Sequence, residues 1–381
     1  MAQRIARQVV ASGDDAERVA REIVEGLLAP DLRCAFVFAD WRLDPAAIAR
    51  VTQHGLRPAP VVGGSTVGVL GPIDAATAAG ITDRKRAVGM GLYGDAFRVG
   101  IGVAPELPKS PLTRSRDAVH QAAAGMGTTA TALDATRHVA ITVYDSTCGF
   151  EEAFCIGSAA AAPQIRFIGG GASSEAKSQR KPHVWVRGEV TNDAGVVVLL
   201  QSDLPFVAMS STHLVPTERR TVVTAASGRI IEELDGIPAT SRLRQLLAPE
   251  AFEHPIVYGF ARYIDSVPYV RSITHFEGER IHVASAVEVG HVLRIMRPDD
   301  MIASTSRDLA LAADRVGTLR ALLAFSCIGR HLEASARGLA RDLDNAYAAH
   351  PVAGFQSFGE QSGMVLVNHT LTGLAIGEGP R

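Results

Sequence analysis

The sequence predicts a mixed α/β fold, α+β-like in its antiparallel content, of repeated strand–helix–strand–hairpin units in two domains. Three observations predict it. Apolar runs of strand length alternate with amphipathic helical stretches. Each strand–helix pair leads into a second apolar run that ends in glycines. A turn signal then joins two further apolar runs, the pattern of a hairpin.

Residues 14–28 place Val19, Ile23, Val24 and Leu27 at helical spacing, with Asp14 or Asp15 as cap. CAFVFAD (34–40) is a strand, and DPAAIARVTQHGL a helix with Asp44 at its N-cap and Gly55 at its end. PAPVVGG (58–64) is a strand running into a glycine turn. The same order returns as Ala140–Asp145, EEAFCIGSAAAA and QIRFIGGG, and again as Ala321–Ser326, EASARGLARDLDNAYAA and HPVAGF. From first-strand alanine to glycine the copies span 35 to 63, 140 to 169 and 321 to 354. Predicted hairpins follow, turning at Gly94-Asp95, Asn192-Asp193 and Asn368-His369. Self-similarity of this kind predicts three diverged copies of one unit.

The copies are not evenly spaced, so roughly 207–300 must hold further sheet and helix elements. Residues 104–117 are polar and Pro-rich and predict an exposed loop. A new helix is expected over 230–247, and the domain boundary at 228, giving domains 1–228 and 229–381.

The 381 residues are 47% hydrophobic and 20% charged, which excludes bulk disorder. With 38 Lys+Arg against 40 Asp+Glu there is no basic footprint for nucleic acid. Arg outnumbers Lys 34 to 4, as a GC-rich bacterial genome would give. No run of 18 apolar residues or signal-peptide core predicts a membrane span or export, so the expected compartment is the cytoplasm. Four cysteines without a CxxC pair predict neither a disulfide scaffold nor structural zinc.

The chemistry-bearing segments are the glycine turns, 63–68, 169–175 and 354–360. Glycine-rich backbone followed by hydroxyls can present N–H groups to a small polar ligand, or can simply allow positive φ or close strand approach. None is a P-loop, a dinucleotide fingerprint or a G-x-S-x-G elbow. Cys327 ends a strand before a glycine loop, with Arg330 placed to activate it; a buried inert thiol is the alternative. Glu360 can accept from a ligand amine or from Arg330. Arg271 can clamp a carboxylate. Cys327 and His331, spaced C-x3-H, fix no metal geometry, and no CxxCH haem attachment occurs.

At these residues the chain resembles the FIST sensory-domain family. The N-terminal half resembles its N domain through CAFVFAD, PAPVVGGSTVG and QIRFIGGGASSE. The second half resembles its C domain through ELDGIPA (233–239), RSITHFEGERI, LAFSCIGR (323–330), PVAGFQSFGE (351–360) and VNHTL (367–371). The family usually has a Cys and an acidic residue where this chain has Gly64 and Val69, which moves the expected site to the second and third turns. The resemblance implies a signal-input module for amino acids or related small molecules. Family members often stand beside histidine kinases or cyclic-di-nucleotide enzymes, and some bind haem and respond to nitric oxide.

The expected pocket lies between the domains, lined by Gly169, Gly170, Ser173, Ser174, Arg271, Ser272, Cys327, Gly329, Arg330, Gly354, Phe355, Ser357 and Glu360. With no room beside the match for an output domain, a signal would pass in trans to a protein partner. No catalytic set stands out, and a sensor is favoured over an enzyme. Two alternatives remain: a haem-binding nitric-oxide sensor using His331 or Cys327, and an enzyme with Cys327 as nucleophile.

Overall fold

The first unit runs β1 (Ala6–Ser12), α1 (Ala16–Leu27), β2 (Leu32–Asp40), α2 (Pro45–Gly55), β3 (Val61–Thr66), β4 (Val69–Leu70) and β5 (Arg86–Tyr93). The second runs β6 (Phe97–Ala104), α3 (Pro111–Gly125), β7 (His138–Asp145), α4 (Glu151–Ala161), β8 (Arg166–Ala172), β9 (Val184–Val186), β10 (Glu189–Thr191) and β11 (Gly195–Ser202). The third opens with β12 (Phe206–Ser211) and is then interrupted by an insert. The insert holds β13 (Leu214–Ser227), β14 (Ile230–Leu234), β15 (Ile237–Pro238), α5 (Ala239–Leu246), β16 (Gly259–Ile264), β17 (Val267–Glu277), β18 (Arg280–Val283) and β19 (Val292–Pro298). The unit resumes with α6 (Met301–Val316), β20 (Thr318–Cys327), α7 (Ile328–Ala336), α8 (Ala340–Ala348), β21 (Val352–Ser357), β22 (Glu360–Ser362), β23 (Val365–Val367) and β24 (Leu371–Glu378). This computed structural model describes residues 5–72, 84–175, 180–247, 257–264 and 266–379.

The three units pair their strands in the same way. β2, β7 and β20 each lie parallel to the strand after the helix (β3, β8, β21) and antiparallel to the last strand of the unit (β5, β11, β24). The short strands after the glycines leave their unit. β4 joins the third unit's sheet at β21, β9 joins the first unit's at β3, and β22 joins the second unit's at β8. Three sheets are thereby linked in a closed cycle, while the insert forms its own seven-stranded sheet.

Alternation along each central strand builds two layers of core. Phe36 and Phe38 of β2, Ile141 and Val143 of β7, and Leu323 and Phe325 of β20 enter one central cluster. Ala35 and Val37, Ala140 and Tyr144, and Leu322 and Ala324 face outward under the helices. Burial on both faces is why these strands are near-continuous apolar runs. α1 supplies Val19, Ile23 and Leu27 to its side, and Asp15 accepts from the backbone N–H groups of Glu17 and Arg18.

The glycines close the parallel pairs. A Cβ at Gly63, Gly169 or Gly354 would stand 1.7, 2.1 or 1.7 Å from the carbonyl oxygen of Val37, Thr142 or Ala324 on the adjacent strand. Of the two roles open from sequence, close strand approach is the one observed, and none of the three has positive φ. The next residues, Gly64, Gly170 and Phe355, sit opposite Phe38, Val143 and Phe325. Phe355 lies 4.6 Å from the Phe38 ring and 5.3 Å from the Phe325 ring. A Cβ on Gly170 would come within 3.0 Å of Phe325 Cβ.

Several expectations are corrected. The predicted hairpins are handovers at their turns: β5 and β6, β10 and β11, and β23 and β24 lie in different sheets, while β9 and β10 pair with each other. The turn residues were recognised, but a turn does not encode whether the chain pairs back. Residues 230–247 form β14, β15 and the short α5, because β13 and β18 flank β14 on both sides. Residues 111–117 open α3, with Pro111 in the first helical turn. No glycine loop follows Cys327; α7 starts at once.

Gly169→Ala or Gly354→Ala forces strand against carbonyl and should destabilise the protein by about 1–3 kcal/mol in urea unfolding. Gly125→Ala meets only Gly100 Cα at 3.9 Å and should leave stability unchanged or raise it by up to about 1 kcal/mol.

Candidate functional site

The three bends that end β3, β8 and β21 do meet, but they satisfy one another. Ser173 N–H donates to Ser65 O at 2.9 Å, and Ser173 Oγ donates to Gln356 O at 3.0 Å. Thr66 Oγ1 donates to Gln356 O at 2.9 Å, and Gly171 N–H to Gly359 O at 2.9 Å. Ser174 Oγ donates to Arg180 O. Ser173 and Ser357 are fully buried. The hydroxyls and amides expected to face a ligand bind protein instead.

The open space lies beside this junction, in a cleft of about 380 Å3. Its walls come from three bodies. The second unit gives Ser146 and Glu151; the insert gives Arg229, Ser272 and Thr274; the third unit gives Cys327, Gly329 and Asn368. Three residues expected from sequence, Ser272, Cys327 and Gly329, line it.

The others lie elsewhere. Gly169, Gly170 and Gly354 are strand backbone, and Phe355 is central core. Arg271 faces another groove with Arg166 and Arg262, and donates to Ala286 O and Tyr269 O. Arg330 is fully buried and donates to Thr305 Oγ1 at 2.6 Å, not to Cys327 or Glu360. Glu360 accepts from Ser357 Oγ at 2.7 Å, and burial pushes its carboxyl well above the usual range. Burial, with the Glu360 charge beside it, likewise raises the Cys327 thiol. Arg330 is therefore no activator of that thiol.

Gly329 has no room for a side chain because the His369 ring would stand 2.8 Å from its Cβ. His369, at φ 51°, is the hub of a buried polar chain. Ser272 Oγ lies 2.6 Å from His369 Nδ1, and His369 Nε2 lies 3.2 Å from Glu333 Oε2. The same carboxylate oxygen is 2.8 Å from His213 Nε2, and Oε1 accepts from Arg337 Nη1 at 2.7 Å. Arg330 Nη1 lies 3.3 Å from His213 Nδ1. Burial would raise the Glu333 carboxyl, but hydrogen bonds from His213 and His369 outweigh it and hold it below the usual range. Burial, aided by Arg330, pulls His213 down to about 4.

Sequence reasoning missed Glu333, His213, Glu151 and Arg229. Glu333 begins the stretch EASARGLARDLDNAYAA, read only as a helix, and its histidine partners stand 120 and 36 residues away along the chain. His369 and Asn368 stood within VNHTL, so a signal for them existed.

The residues present do not fit a haem. His331 is buried to about the same degree as the core, its Nδ1 receives Gln356 Nε2 at 3.0 Å, and its ring packs 6.2 Å from Tyr347. Cys327 faces the cleft while His331 faces packed side chains, so the two share no space for a macrocycle.

His213 is depressed from 6.5 to about 4 when folded. The unfolded chain takes its proton first, so this contribution is present above pH 6.5 and is lost as pH falls toward 4. The stability gap between wild type and His213→Gln should narrow on acidification from pH 7 to 4.5, by at most about 1.4 kcal/mol per pH unit. Urea titrations at each pH check this. Iodoacetamide at pH 7 should leave Cys327 unlabelled until the protein is denatured, as read by peptide mass.

Among known proteins, no curated sequence matches this chain. A solved structure titled cyanuric acid hydrolase from A. caulinodans aligns over 98% of this chain and 99% of that one, at 12% identity and TM-score 0.40. A likeness at that level carries no argument about fold or activity. Family models match almost end to end: the FIST N domain over residues 33–237 and the FIST C domain over 235–363. With both domains matched in succession across the three units and the insert, this chain belongs to the FIST family.

Proposed function

We propose that this chain is a cytoplasmic sensor whose ligand is an amino acid or small carboxylate, bound in the 380 Å3 cleft and reported in trans to a signalling partner. FIST domains are sensory domains that bind small ligands. The observation that carries the ligand class is Arg229. Its Nη2 lies 2.5 Å from Glu151 Oε2 and 2.8 Å from Glu152 Oε2, at the cleft wall. A cation and an anion side by side suit a zwitterion: Arg229 takes the carboxylate and Glu151 the ammonium.

The signalling step is a population shift. The cleft is walled by the second unit, the insert and the third unit, so a ligand that touches all three favours one arrangement of them. Differential affinity for that arrangement supplies the driving force. A histidine kinase or cyclic-di-nucleotide enzyme is the partner class in view. Cys34, Cys148, Cys155 and Cys327 are all unpaired, which suits a reducing compartment. Among the described residues no helix is long and apolar enough to cross a membrane.

A thermal-shift screen of the full chain against the amino acids and small carboxylates tests this. A ligand at 100 times its Kd should stabilise by about 2.7 kcal/mol. Arg229→Gln should weaken that ligand by roughly 10- to 100-fold, the worth of a charged hydrogen bond. No shift with any of them, or an affinity indifferent to Arg229→Gln, would overturn the reading.

A further inference from the structure

We propose that Ser272, His369 and Glu333 form a nucleophile–base–orienter chain that attacks the carbonyl of a small carboxylic ester in this cleft. The inference stands on those three side chains and is independent of the ligand class argued above.

The hydrogen-bond network sets the direction of each contact. Glu333 accepts from Arg337 on one oxygen, and the other faces two imidazole nitrogens, His213 Nε2 and His369 Nε2. An acceptor-only carboxylate requires N–H at both. In the tautomer with its proton on Nε2, His369 presents a bare Nδ1 lone pair, 2.6 Å from Ser272 Oγ. In that tautomer the serine hydroxyl donates to the imidazole, the geometry a general base needs to activate it. The nitrogens are exchanged relative to the usual serine–histidine arrangement, but both ring nitrogens perform the same proton transfer.

The placement suits the chemistry. Ser272 lines the cleft, whereas His369 and Glu333 stand behind it with no exposure. Ser272 is 5% exposed at the cleft wall and the Glu333 carboxylate behind it has no exposure, so that charge acts at low dielectric. The carbonyl oxygen also has a candidate donor. Asn368 lines the cleft, and its Oδ1 is taken by Ser285 Oγ at 2.6 Å. That fixes the amide so that Nδ2–H is left for an oxyanion. Ser146 lines the same cleft but donates to Ala172 O, with no base beside it.

In the first step Ser272 Oγ bonds to the acyl carbon, its proton passes to His369 Nδ1, and the carbon–oxygen bond to the alcohol breaks. The departing alkoxide takes that proton. Water then attacks the acyl-serine, giving its proton to Nδ1, and the serine oxygen recovers it as the acid leaves. The net reaction is ester plus water to acid plus alcohol, with no redox change.

The full chain is treated with a fluorophosphonate probe and mapped by peptide mass, and hydrolysis of p-nitrophenyl acetate is followed in parallel. The expected result is a single adduct on Ser272, formed at least about 100-fold faster than any on Ser146, the scale of general-base assistance. Ester hydrolysis should fall by a similar factor in Ser272→Ala, and labelling of Ser272 should fall likewise in His369→Gln. No adduct on Ser272, or labelling of Ser272 no faster than Ser146, would overturn the proposal. The comparison of the two serines is made in the wild-type protein and so holds even where His369→Gln does not fold.

Discussion

The strand after each glycine-bearing strand leaves its own unit and pairs with a neighbour's sheet, and most of the architecture follows from that exchange of edges. β4, β9 and β22 each cover the open side of β21, β3 and β8. An uncovered edge of this kind is a row of unpaired backbone groups, so a unit cut from its neighbours exposes one while its donated strand loses a partner. The exchange also fixes where polar backbone collects. The three crossing points meet, and Ser65, Ser173 and Gln356 take up each other's hydrogen bonds there. That junction is closed for the same reason that it exists: strands crossing between sheets must satisfy their amides at the crossing.

Beside the junction, Glu333 ties the insert to the body. Its carboxylate has no exposure, and an uncompensated charge there would cost several kcal/mol. The compensation comes from His213 and His369 on separate stretches of chain and from Arg337 four residues on. His213 stands between β12 and β13, His369 before β24, and Arg337 just past α7. Through His369 the chain of contacts reaches Ser272 on β17. One buried anion thus links the entry of the insert, its central strand and the last strand of the third unit.

The central strands were legible because both of their faces are buried, which leaves long apolar runs in β2, β7 and β20. The caps of α1 and α2 were legible because Asp15 and Asp44 act within three residues of themselves. What was not legible is non-local. Gly94-Asp95 and Asn192-Asp193 mark reversals of the chain, yet the flanking strands find partners in other sheets. IIEEL lies in β14 because β13 and β18 pair with it; nothing within that segment sets this. The site follows the same division. Cys327, Gly329 and Ser272 fell among the expected residues, since LAFSCIGR and RSITHFEGERI stood out. The histidines that face Glu333 and the carboxylates that face Arg229 all stand more than 30 residues away from them.

The place where the three glycine-bearing strands converge holds one more consequence. Gly64, Gly170 and Phe355 occupy matching positions, and only one carries a side chain. The rings of Phe38, Phe325 and Phe355 already pack against one another in the central cluster. Bare backbone at Gly170 gives Phe325 the clearance it needs. A phenylalanine at position 170 would collide with Ser357 and Phe325, and a glycine at 355 would leave Phe38 and Phe325 without their ring partner. The difference in side chain at these three positions is what lets the middle of the molecule be solid.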